Sequence, residues 1–125
     1  MRYLKKYKIF ETISSTSELA KDIEDILLEF SDDGISVSVT VMSDSEIQIY
    51  IGDGRFYLDK DKRDALVRVI RLTRDNWAYQ AHFGSPRRDI YIYDDNRGIR
   101  SNGYRVTDEQ QISYLRIFLN GYWRG

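Results

Sequence analysis

ISVSVTVMSDSEIQIYI, residues 35–51, alternates apolar and polar side chains on both sides of a short polar turn. Ile35, Val37, Val39 and Val41 fall on one face and Ser36, Ser38 and Thr40 on the other. That is the period of a half-buried strand with β-branched residues toward the core. After Ser43–Asp44–Ser45, the residues Ile47, Ile49 and Ile51 alternate with Gln48 and Tyr50. Two such strands this close read as an antiparallel hairpin. A sheet with one apolar face needs a covering layer.

The flanking sequence supplies one. Upstream, Ser15 and Glu18 form a capping box, in which each side chain satisfies an orphan amide at a helix start. Leu19, Ile23, Ile26, Leu27 and Phe30 follow at helical period, and Gly34 suits a left-handed C-cap. Downstream, Gly52–Asp53–Gly54 breaks the strand pattern, and residues 56–58 suggest a third short strand. Asp59, Asp61 and Asp64 then open a second helix that Arg68, Arg71 and Arg74 close, matching the helix dipole. Leu66, Val69, Ile70 and Thr73 are its inner stripe. Trp77, Tyr79, Ala81 and Phe83 alternate with Ala78, Gln80 and His82 as a further strand. Gly84–Ser85–Pro86 turns the chain into a return strand over 89–93. Residues 94–105, DDNRGIRSNGYR, read as a polar loop, and Thr107 with Gln110 as the cap of a last helix. Ile112, Leu115 and Leu119 form its inner face, widened by Tyr114 and Phe118.

This gives an α+β fold of two αββ repeats, a mostly antiparallel sheet with helices on one face, and a C-terminal helix. Shifts of 42 and 43 residues superpose the two strand pairs: Ile35 falls on Trp77, and Ile47 on Ile90. Residues 1–14 read as an N-terminal arm or targeting-like segment and 15–125 as a single domain, a size at which one hydrophobic core suffices.

Composition narrows the chemistry. With no cysteine among 125 residues, disulfides and thiolate metal sites are excluded. No apolar run resembles a signal peptide or a bilayer span, so no membrane partner is expected. One histidine, His82, without a G-x-S-x-G elbow gives no support for a nucleophilic triad, and no phosphate-binding glycine loop occurs. Asp59, Asp61 and Asp64 match no calcium loop and read first as helix-capping acids; a metal-dependent hydrolase using Asp residues is the weaker alternative. No catalytic residue, metal or cofactor is assigned.

Charge is unevenly spread. Residues 1–62 carry 8 basic and 13 acidic side chains, while 63–125 carry 11 basic, all arginine, and 7 acidic. Arginine's planar fork suits phosphate and carboxylate and stacks on rings. If the isoleucines and valines face the helices, the other sheet face shows Gln48, Tyr50, Gln80, His82, Tyr91 and Tyr93. Arg87, Arg88, Arg97, Arg100 and Arg105 flank it. This is the expected binding surface. A protein partner, from a host or a virion, is the first expectation, with homo-oligomerisation as a variant of it. Nucleic acid or a nucleotide, stacked on tyrosine and held by arginine, is the alternative.

The opening KKYKIFETI, residues 5–13, resembles the start of small proteins of T4-like and related tailed bacteriophages. Ile9, Phe10 and Glu11 are similar to the processing triplet in the capsid-targeting peptides of their internal proteins. The resemblance covers about 11 residues. It implies a phage-encoded protein, located in the virion or the host cytoplasm, with residues 1–11 as a packaging signal. The absence of catalytic motifs and the long polar 94–105 loop add the expectation of a non-enzymatic accessory protein acting by binding. The resemblance further implies cleavage after Glu11.

Overall fold

The computed structural model describes residues 16–52, 54–84 and 87–121. Its centre is a seven-stranded antiparallel sheet in the order β1-β2-β9-β4-β5-β6-β7. The strands are β1 (Val37–Ser43), β2 (Glu46–Ile51), β4 (Trp77–Phe83), β5 (Arg88–Ile92), β6 (Ile99–Ser101), β7 (Tyr104–Arg105) and β9 (Leu115–Gly121). β3 (Phe56–Tyr57) and β8 (Gln111–Ile112) form a separate two-stranded pair. Three helical segments complete the described residues: α1 over 16–26, α2 (Leu28–Ser31) and α3 (Lys60–Thr73).

Alternation places the core. Ile47, Ile49 and Ile51 of β2 pair with Leu119, Ile117 and Leu115 of β9, and β9 pairs in turn with Tyr79, Ala81 and Phe83 of β4. Directly opposed residues of an antiparallel ladder share a face. This inner face meets Ile23, Leu27 and Phe30 from the first helices and Leu66, Val69 and Ile70 from α3. Each fully buried aliphatic chain of this kind stabilises the fold by about 1.5–3 kcal/mol relative to exposure. The outer β1 strand is only half covered, and Val41 and Met42 are exposed.

Local signals explain the helix boundaries. The Asp59 carboxylate accepts from the Lys62 amide and caps α3. The Lys62 ammonium is buried yet donates to Asp59 and, at 2.5 Å, to Asp33. Burial opposes its charge, and the two carboxylates outweigh that, so its pKa is raised. Gly34, at φ 80°, closes the first helical stretch with the Gly34 amide on the Ser31 carbonyl and the Ile35 amide on Phe30. This is the bond pattern of a Schellman motif. The proposed Ser15 cap lies outside the described residues.

Two sequence expectations are overturned. The residues assigned to a C-terminal helix form β8 and β9, and β9 lies between β2 and β4 in the middle of the sheet. Ile112, Leu115 and Leu119 fit helical spacing, but Leu115, Ile117 and Leu119 also alternate with Arg116 and Phe118, and the period of two prevails because β9 is flanked by strands on both sides. The β1–β2 and β4–β5 pairs are consequently separated by β9, and the expected repeat of two αββ units is not confirmed. Residues 94–105 are also no free loop: β6 and β7 extend the sheet as a hairpin through Asn102–Gly103, both at positive φ.

Candidate binding surface

The outer face of the sheet carries one continuous cross-strand row: Ser38, Tyr50, Arg116, His82 and Asp89, from β1 to β5. Tyr50 stacks on Tyr114 with ring centroids 5.8 Å apart and planes 8° from parallel. The Arg116 guanidinium lies 5.2 Å from the Tyr50 ring centre. His82 sets its edge against Tyr114 and tilts against Phe118, each at 6.0 Å. The patch is thus a packed aromatic cluster threaded by two basic side chains.

His82 is 6% exposed, so it is a packed residue and not the exposed one expected of a binding surface. The Tyr114 and Phe118 rings help to remove it from water. Its Nδ1 and the Arg116 Nε are buried without a hydrogen-bond partner. Burial, then Arg87 and Arg116, hold the imidazole pKa below its usual value, while Asp89 opposes them.

A second row crosses the far edge: Tyr91, Arg100 and Arg105. Tyr91 is half exposed. Two guanidinium-bearing chains directly opposite each other repel. Arg105 turns its Nη2 onto the Asn96 carbonyl at 2.6 Å, whereas the Arg100 side chain has no hydrogen bond or ion pair among the described residues.

The remaining candidates scatter. Arg97 grips Asp95 through Nε and Nη2, which holds the Asp95 carboxyl down at about 2, and it covers the Tyr93 ring at 3.9 Å. Arg97 is thus engaged by Asp95 and Tyr93 while its side chain stays exposed. Arg87 faces Asp89 at 3.6 Å. Arg88 pairs in register with Phe83, whose side chain belongs to the core, so it leaves the sheet on the side opposite the tyrosines. Ile9, Phe10 and Glu11 lie outside the described residues.

Tyr114, Arg116 and Phe118 belong to this face and were missed, because a helical reading of 107–121 gives them no common strand face. The alternation of Arg116 and Phe118 with Leu115, Ile117 and Leu119 was the available signal. The acids have structural duties: Asp59 caps α3, Asp64 holds Lys60, and Asp94 takes Arg74 at 2.5 Å. Among the described residues, no three of histidine, aspartate and glutamate gather around a point that a metal ion would occupy. No helix among them is long and apolar enough to cross a membrane.

No protein-family model, curated protein or solved structure matches this chain.

Proposed function

We propose that this chain is a non-enzymatic binding protein whose outer sheet face meets an anionic partner, in the first instance an acidic surface of another protein. The row Tyr91–Arg100–Arg105 carries the reading: two arginines stand opposite one another beside a half-exposed ring, with no carboxylate in the row. Such a pair costs stability in isolation and is relieved by an incoming anion. Arg116, in the neighbouring row with Asp89 as its one carboxylate, and Arg87, paired with that Asp89, extend the basic character toward the aromatic cluster. Aromatic and arginine side chains are also the residue types that anchor protein interfaces.

The test is affinity capture from a cell lysate with the wild type and with Arg100→Glu as bait. A partner retained by the first and lost by the second supports the reading; identical capture by both removes it. A nucleic-acid reading is favoured by the same Tyr91 ring, since a base stacks on an exposed aromatic beside arginine. Oligonucleotide binding that weakens steeply with salt and with Tyr91→Ala would establish it. Flat titrations at low salt would end it. A phage-encoded role, in the virion or on a host factor, is supported by the KYKIFE resemblance alone. Mass spectrometry of purified virions tests the packaged form, including cleavage after Glu11.

A further inference from the structure

Most cationic side chains of the described residues have an anionic or carbonyl partner. Arg63 meets Asp108, Arg71 and Arg74 meet Asp94, Arg87 meets Asp89, Arg97 meets Asp95, and Arg105 meets the Asn96 carbonyl. The side chains of Arg55 and Arg88 have neither a hydrogen bond nor an ion pair among the described residues, and they come from distant parts of the sequence into one cleft.

That cleft, about 310 Å³, lies where β4 ends, β5 begins and the β3–β8 pair packs against them. Arg55 and Arg88 share it with Gln110, Gln111 and Ser113, over the buried Phe83 and Ile112. Among the described residues, no carboxylate lines it. The lining therefore offers two forked cations, two amides and a hydroxyl above an apolar floor, an environment rich in donors and uncompensated in charge. The volume stands at the lower end of the range for small-molecule sites.

We propose that this cleft is an oxyanion site for the dianionic phosphate of a small phosphate monoester, gripped by Arg55 and Arg88. Guanidinium groups match phosphate oxygens in pairs, and two arginines balance a dianion where a single carboxylate would leave one charge over. The small organic group of the ester rests toward Phe83 and Ile112. The site is separate from the Tyr91–Arg100–Arg105 row and stands or falls independently of it.

The probe is inorganic phosphate, followed by phenyl phosphate, titrated into the full chain while amide resonances are recorded by NMR. Acetate and chloride at matched ionic strength are the controls. Saturable shifts centred on Gly84, Gln111 and Ser113, absent with acetate, are expected. Arg88→Gln and Arg55→Gln should each weaken phosphate binding about tenfold, the worth of one charge-assisted contact. Arg68→Gln, on the exposed side of α3, should leave it unchanged. Both cleft arginines are solvent-facing, so the variants should fold, and far-UV circular dichroism verifies this. Shifts spread over the whole basic surface, equal shifts with acetate, or undiminished affinity in both cleft variants would overturn the proposal. Arg100→Glu serves as the cross-check, since it should abolish partner capture and spare phosphate binding.

Discussion

His82 shows how one residue's surroundings decide its chemistry. On a strand's polar face it would ordinarily titrate near 6.5, yet burial beside the Tyr114 and Phe118 rings, and then Arg87 and Arg116, make its cationic form costly. The unfolded chain takes up a proton at the ordinary value, and the folded chain resists. The stability His82 contributes is therefore complete above 6.5 and is lost as pH falls from there through the folded midpoint. NMR titration of this single imidazole should give a midpoint below 6.5. Urea unfolding between about pH 7.5 and 5.5 should show a decline that His82→Phe flattens. A wild-type midpoint at or above the ordinary value would refute the packing account. Gly52 makes a steric argument at the same scale. At φ 120°, an added Cβ would stand 2.7 Å from the Ser113 carbonyl oxygen and 3.1 Å from the Tyr114 Cα. Gly52→Ala should cost about 1–3 kcal/mol or more in equilibrium unfolding. Gly34→Ala should cost less, about 1 kcal/mol, because nothing stands within 4 Å of its added Cβ.

At the level of elements, the β4–β5 pairing depends on a side chain. The ladder runs through Phe83–Arg88, His82–Asp89 and Ala81–Ile90. Nearer the start of β4, the Tyr79 hydroxyl accepts from the Ile92 amide at 2.8 Å and donates to the Ile92 carbonyl at 3.0 Å. Burial raises the Tyr79 pKa, so the phenol stays a donor at neutral pH. Tyr79→Phe orphans both backbone groups and should destabilise by about 1–3 kcal/mol, with faster hydrogen exchange at Ile92 as its local signature. Such elements also show what a sequence discloses. β2 and α3 were legible because Ile47–Ile49–Ile51 fits only a strand and Asp59 marks a helix start. β9 was not, since Thr107, Gln110, Ile112, Leu115 and Leu119 satisfy a helical template as well as an extended one. Only the neighbours on both sides, far away in the chain, break that tie. The misreading hid Tyr114, Arg116 and Phe118, and with them the aromatic cluster. Tyr50 and Tyr91 were placed on the correct face because their strands were read correctly.

For the whole molecule, stability and recognition pull against each other on the outer face. Arg100 and Arg105 oppose one another across β6 and β7. Arg100→Glu replaces a like pair with an unlike one and should stabilise the fold by about 0.2–1 kcal/mol while abolishing partner capture. Thermal melting alongside the capture assay measures both, and a destabilised variant would contradict the cross-strand geometry. The position of β9 carries a different implication. It is synthesised after both of the strands it joins, and β2 and β9 are more than sixty residues apart. Until Leu115–Gly121 arrives, the nascent polypeptide holds two half-sheets, each with an open rim of unsatisfied amides and carbonyls. The closing piece must then insert between them. Assembly on the ribosome would accordingly wait on β9, and the interval before it docks is when stray copies are most prone to zip together.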